Sequence, residues 1–398
     1  MKLPPWTVAL AGAGLVSLPG LLLADETPTT STVAAALSTT TLSGYVDTSA
    51  QWNLGTGNIN VPNYAFGGPS KADGFNLNVV KISLEKPIDP KDGWAAGYKV
   101  DLLAGPDANA LFTQSSGVTG DFGVKQAYVA LHAPVGNGLD FKVGVWDTII
   151  GYEVFESGSN PNFTRSYGYT IEPTTHTGIQ ASYQVCDAFV ANVGIADSFG
   201  STINGRSNPP KAESYKTYMG SFTFTAPTNT GFIGGSTVSA CVINGYNAAL
   251  GVDETSYYIG GTMNTPITAL KVGACYDYLG VSSQPLGPAA YANVVGLYAS
   301  YQITEKMALF GRGEYATSDL AFAGTGGPGT GSGLLSAHRV IEGTVTLQYD
   351  LWKNVLSRLE FRWDHAADGS TPYGGTSVDS TPSKKNSFIL AANVIYKF

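Results

Sequence analysis

The sequence predicts an all-β chain, a transmembrane antiparallel β-barrel of about sixteen strands, on three observations. Of its 398 residues 43% are hydrophobic and only 13% charged, with 49 Gly and 22 Tyr. A strand with lipid on one side and a polar lumen on the other alternates its side chains, which dilutes hydrophobicity in this way. Mean hydropathy is +0.02, too low for a bundle of membrane helices, and beyond the N-terminus no run approaches the ~20 apolar residues that a spanning helix needs. Third, from Leu42 to Phe398 segments of about ten alternating residues are joined by links that are short, then long, then short again.

The elements follow in order. Residues 1–24 read as a secretory signal peptide: Lys2 is the positive region, Val8 to Leu23 is apolar but broken by Gly12, Gly14, Pro19 and Gly20, and Ala24 offers the cleavage point. Residues 25–41 form a Thr/Ser/Ala-rich lead-in, and 42–398 the barrel. Strands are expected at 42–54, 74–85, 94–103, 123–132, 138–147, 176–185, 188–196, 215–225, 233–243, 255–264, 267–278, 291–302, 305–315, 338–349, 354–364 and 386–398.

Register is strongly specified where charges alternate with apolar residues. Leu139, Phe141, Val143 and Val145 oppose Asp140, Lys142 and Gly144; Val355, Leu359, Phe361 and Trp363 oppose Arg358, Glu360, Arg362 and Asp364. A one-residue slip would carry those charges into lipid, at ~2–4 kcal/mol each near the midplane. The long links are 55–73, 104–122, 148–175, 197–214, 244–254, 279–290, 316–337 and 365–385. With the N-terminus in the periplasm they all fall on the outer side, and the short links on the periplasmic side.

Formal net charge is −8, near −9 without Lys2, which disfavours nucleic acid as a partner. Cys186, Cys241 and Cys275 are an odd count with no CxxC spacing and are expected to be free thiols. His132, His176, His338 and His365 lie outside any HExxH spacing, no nucleophile–base set is visible, and no cofactor is implied. Trp52, Trp94, Tyr98, Tyr183, Tyr276, Tyr278, Tyr349, Trp363 and Tyr396 are expected to face lipid as interfacial belts. Asp47, Ser49, Gln51 and Asn53 are expected to form a polar lumen stripe that hydrates small solutes.

The last strand, Phe388 to Phe398, places Phe388, Leu390, Ala392, Val394, Tyr396 and Phe398 on one face and ends the chain on an aromatic residue. This resembles the terminal strand of outer-membrane barrels, and the resemblance implies that Phe398 is an assembly signal read by the insertion machinery. Leu42-Ser-Gly-Tyr-Val46, Gln126-Ala-Tyr-Val129 and Ile171-Glu-Pro-Thr-Thr-His-Thr-Gly178 are similar to the OmpL-like β-barrel porins. That resemblance implies an outer-membrane channel for passive diffusion of small hydrophilic solutes, with lipid as its surroundings and a homotrimer as its assembly. A channel selective for sugars or anions, a plugged structural or adhesive barrel, and an exported soluble enzyme are the alternatives.

In porins the third outer loop folds into the barrel and narrows it. Here that loop is 148–175, the longest link, and its Glu153, Glu156, Arg165 and Glu172 are the expected constriction. The facing wall is expected at Lys99, Asp101, Asp140, Lys142, Arg312, Glu314, Arg358, Glu360 and Arg362, because rings of charge in a narrow pore act strongly on permeating ions.

Overall fold

The computed structural model describes residues 39–398 apart from 56, 58, 63–65, 67–70, 90, 92, 112, 114–119, 210, 283–288 and 320–336. The expected signal peptide and most of the lead-in lie outside the described residues. Sixteen antiparallel strands form one closed barrel. They are β1 (Thr41–Asn53), β2 (Gly74–Lys86), β3 (Ala95–Ala104), β4 (Phe122–Ala133), β5 (Leu139–Asp147), β6 (Thr175–Cys186), β7 (Phe189–Ala196), β8 (Thr217–Thr225), β9 (Thr237–Asn247), β10 (Val252–Asn264), β11 (Leu270–Val281), β12 (Ala290–Thr304), β13 (Met307–Ser318), β14 (Arg339–Trp352), β15 (Val355–Ala366) and β16 (Asn386–Lys397).

Each strand pairs with its sequence neighbours, and β1 closes on β16 from Tyr45↔Lys397 to Asn53↔Ile389. Closure removes the free edges that an open sheet would present. At the seam the backbones of Gly44 and Phe398 exchange both hydrogen bonds, 2.9 and 3.0 Å. The Phe398 ring lies so close over Gly44 that a Cβ there would be 2.6 Å from it.

The outer surface is apolar: Phe75, Trp94, Tyr218, Phe222, Leu297 and Trp352 are among its exposed side chains, with Trp52, Tyr276, Tyr349 and Tyr396 of the expected belts. Tyr257 and Tyr278, on the same face of neighbouring strands, add a ring pair at 5.7 Å.

Seven strand ends, in β9, β10, β11, β13 and β14, differ from expectation by three or four residues. The start of β9 moves from 233 to 237 because Gly231–Ile233 forms a 3-10 turn followed by Gly234 and Gly235, the latter at φ 80°. In compensation β9 and β10 run on to Asn247 and from Val252, so the expected long loop 244–254 is a tight link, 248–251. One periplasmic link, 226–236, is correspondingly longer than that outer one.

Two β-bulges add inward residues that strict alternation conceals. In β2 the register steps so that Asp47 faces Val79 and Thr48 faces Leu77, leaving Asn78 extra. In β4 Asp101 faces Gln126 and Leu102 faces Val124, leaving Lys125 extra. Asn78 and Lys125 are both buried on the inner side.

The interior is not a simple polar lumen. Loop residues pack inside against inward-facing apolar side chains. Ile150, Tyr167, Ile171, Phe199 and Tyr373 join Trp146, Met219, Ile243, Leu279 and Val294 in one cluster. The short helix α1 (Pro106–Leu111) packs Ala108 and Leu111 with Tyr45, Val79, Leu103 and Phe155 in another. The expected polar stripe is covered by this packing. Asp47, Ser49, Gln51 and Asn53 do face inward but are buried, with Asp47 accepting hydrogen bonds from Asn78 (2.9 Å) and Asn393 (2.6 Å).

Candidate functional site

The link 148–174 leaves the top of β5, descends into the barrel, crosses it and returns to β6. We call it L3. It contains a 3-10 turn, Ser157–Ser159, and one short helical turn, α2 (Tyr167–Ile171), whose first turn is capped by Ser166 accepting from the Tyr169 N–H at 3.0 Å. A buried segment with so little regular structure leaves its backbone N–H and C=O groups without ladder partners, and each needs one. The inward charges of β13–β15 provide them.

Glu360 accepts from the N–H groups of Phe163 (2.5 Å) and Thr164 (2.9 Å), and Glu314 from those of Tyr167 (2.9 Å) and Gly168 (3.2 Å). The arginines take the carbonyls: Arg358 donates to Asn160 (2.8 Å), Arg312 to Thr164 (2.7 Å) and Arg362 to Arg165 (2.7 Å). Within L3, Glu153 accepts from the Ser166 N–H at 2.9 Å, and Arg165 donates to Phe163 O at 2.7 Å and to Phe155 O.

Ion pairs complete this side. Arg312 lies 2.9 Å from Glu153, 3.2 Å from Glu342 and 3.6 Å from Glu314, all with no side-chain exposure. Arg362 holds Asp364 at 2.8 Å, and Asp364 accepts from the Tyr167 hydroxyl at 2.7 Å. Opposite, Glu156 sits between Lys81 (2.5 Å) and Lys125 (3.2 Å). Burial opposes ionisation of Glu156, but the two lysines outweigh it and hold its carboxyl down at about 2.

The exit of L3 is different. Glu172 is buried against Asp277 of β11, with Glu153 and Cys241 also facing it. Burial first, and then the Asp277 carboxylate, push the Glu172 acid well above the usual carboxylate range and favour its protonated form.

The structure therefore brings Glu153, Arg165, Arg312, Glu314, Arg358, Glu360 and Arg362 into one buried network, where the sequence reading expected charges facing open water. The physical reason is the loop backbone, which needs charged partners once it is inside the barrel. The remaining expected residues lie elsewhere. Asp101 is buried among Lys81 (3.0 Å), Ser83 (2.5 Å) and Gln126 (2.8 Å), and Lys99 pairs with Glu85 at 2.9 Å. Asp140 meets His132 at 2.6 Å, and the Lys142 ammonium stands 5.2 Å over the Tyr128 ring.

Lys81, Lys125, Glu342, Asp364 and Asp277 were not among the expected site residues. Inward parity points to Lys81, Glu342, Asp364 and Asp277; Lys125 is hidden by its bulge. All three cysteines are free, Cys186 exposed and the other two buried. The Cys241 thiol donates to Ile149 O of L3 at 2.9 Å.

Residues 39–398 match a family model described as "Putative beta-barrel porin-2, OmpL-like". A search of curated proteins returned no match. Among solved structures, the chain is similar to an anion-selective porin from Comamonas acidovorans, at 13% identity and a TM-score of 0.59 over 90% of this chain and 99% of that one. It is similar to OprB of Pseudomonas putida, at 10% identity and 0.59 over 92% and 96%. The outer membrane channel DcaP of Acinetobacter baumannii follows, at 13% identity and 0.58 over 90% and 97%. At these identities the likeness shows the shared barrel fold.

Proposed function

The chain belongs to the OmpL-like β-barrel porin family, bacterial outer-membrane channels for passive diffusion of small hydrophilic solutes, and from that premise we propose that L3 is its constriction. The observation that carries the reading is the seating of L3 from both sides, on β13–β15 through its backbone and on β2 and β4 through Glu156. Solutes then pass between L3 and the wall it leaves uncovered, where Tyr128, Lys142, Ser182, Asn192 and Thr223 point inward and remain partly exposed. Glu153, Glu156 and Glu172 set the size of this gap by holding the loop, and Lys142 is the nearer charge for a passing ion.

A plugged structural barrel is the second reading, favoured by the apolar packing of L3 with Phe199 and Tyr373 inside the barrel. Planar-bilayer conductance of the purified protein separates the two. Deleting 154–164 should raise single-channel conductance clearly if L3 constricts an open pore. Equal conductance with and without the segment would remove L3 from the path. Homotrimer formation and recognition of Phe398 by the insertion machinery are part of the same proposal. The first is read by cross-linking in native membranes.

A further inference from the structure

Beneath L3, on the side of the short links, lies a cavity of about 500 Å³ between the loop and the inner faces of β9–β14. That volume is in the range of small-ligand pockets. Its roof and wall are built from two rings: Tyr152 of L3 stacks on Tyr298 of β12 with centroids 3.9 Å apart and planes at 17°. The Tyr152 hydroxyl bonds Thr262 at 3.0 Å and occupies a notch made by Gly273, where a Cβ would be 2.0 Å from it. Ser239, Ser300, Asn160 and Gln348 add hydroxyl and amide groups to the lining, beside Pro161 and Phe310.

Charge is the deciding feature. Lys271 is the one charged residue in the lining, is exposed, and among the described residues has no carboxylate partner. None of the three acidic side chains of L3 belongs to the lining: Glu153 pairs with Arg312 and accepts from the Tyr298 hydroxyl at 3.4 Å behind the ring, Glu156 pairs with Lys81 and Lys125, and Glu172 is buried. The cavity is therefore a largely polar chamber, walled by tyrosine rings, whose one lining charge is positive.

Resting on the channel reading above, we propose that this chamber is a weak binding site for small hydroxylated carboxylates of sugar-acid size, which would make it a selectivity station on the periplasmic side of the constriction. The carboxylate faces Lys271, the solute hydroxyls take the Ser, Thr and amide groups, and the C–H face of the solute lies along the tyrosine rings. A neutral sugar has the second and third contacts but lacks the first.

Two measurements on the full-length protein test it, with glucuronate as probe and glucose as its neutral counterpart. Saturation-transfer NMR on the barrel in detergent reads binding without any current, and planar-bilayer recording reads blockade. Glucuronate should be bound, and should interrupt the current from one chamber at lower concentration than from the other. Lys271→Gln should weaken both effects by about fivefold, the scale of one partly hydrated charge pair. Lys306→Gln, on a short link outside the chamber, should leave them unchanged. Equal binding of glucose and glucuronate, or an unaltered Lys271→Gln protein, overturns the proposal. Glucuronate binding by NMR in a barrel that carries no current would keep the site and reject the channel reading instead.

Discussion

Glu153 of L3 and Arg312 of β13 meet at 2.9 Å with neither side chain reaching solvent. Removing one partner of such a pair costs about 3–5 kcal/mol, because the charge left behind is buried and uncompensated. Arg312 also faces Glu314 and Glu342, so Arg312→Met would leave three carboxylates together. We expect that variant to keep its barrel but to unseat L3. Trypsin should then cleave after Arg165, which is buried when the loop is seated. Glu153→Gln, which keeps the shape and the acceptor oxygen, should have a smaller effect. A trypsin-resistant Arg312→Met barrel would show that the pair does not hold the loop.

Gly273 is the notch for Tyr152. A Cβ at 273 would overlap the Tyr152 hydroxyl at 2.0 Å, and the ring is fixed from behind by Tyr298. Gly273→Val should displace the descending limb of L3 and change conductance. Combining it with Tyr152→Ala should restore much of the wild-type value by removing the overlap. If the double variant is as altered as the single one, the clash is not the cause.

Two carboxyl groups give L3 opposite responses to pH. Glu172 has a raised folded value, so the stability it lends the seat is complete below the ordinary Glu value of ~4.3 and is lost as pH rises toward its folded value. Glu156, held at about 2, is the reverse: its contribution is complete above ~4.3 and is lost as pH falls through about 2. Conductance fluctuations from L3 should therefore increase with alkali, and separately in strong acid. Glu172→Gln should abolish the alkaline limb while sparing the acid one. An alkaline limb that survives in Glu172→Gln would assign it to another group.

Phe398 extends the β1–β16 seam by pairing with Gly44, whose missing side chain leaves room both for the Phe398 ring and for Lys81 O, 2.6 and 2.2 Å from where a Cβ would stand. Deleting Phe398, or replacing Gly44 by Val, should each lower the yield of inserted, heat-modifiable protein. Single-channel conductance of the molecules that do insert should stay near wild type. Normal yields in both variants would argue against a seam role.

The strand segments, their order and their facing were legible in the sequence because each is a local pattern. Arg358, Glu360 and Arg362 alternate with Leu359, Phe361 and Trp363, and lipid tolerates only one of the two faces. The position of L3 among the long links was legible from strand counting alone. What those inward charges touch was not. Glu360 binds the backbone of residues 163 and 164, almost two hundred positions away, and backbone N–H groups leave no mark in a sequence. Lys125 and Asn78 were hidden by bulges, which are irregularities in pairing between strands. The polar stripe from Asp47 to Asn53 faces inward as its alternation requires, yet it is buried beneath loop segments. Alternation determines which side of the wall a residue occupies; only the folded loops decide whether that side is water or protein, because their path depends on contacts between distant parts of the chain.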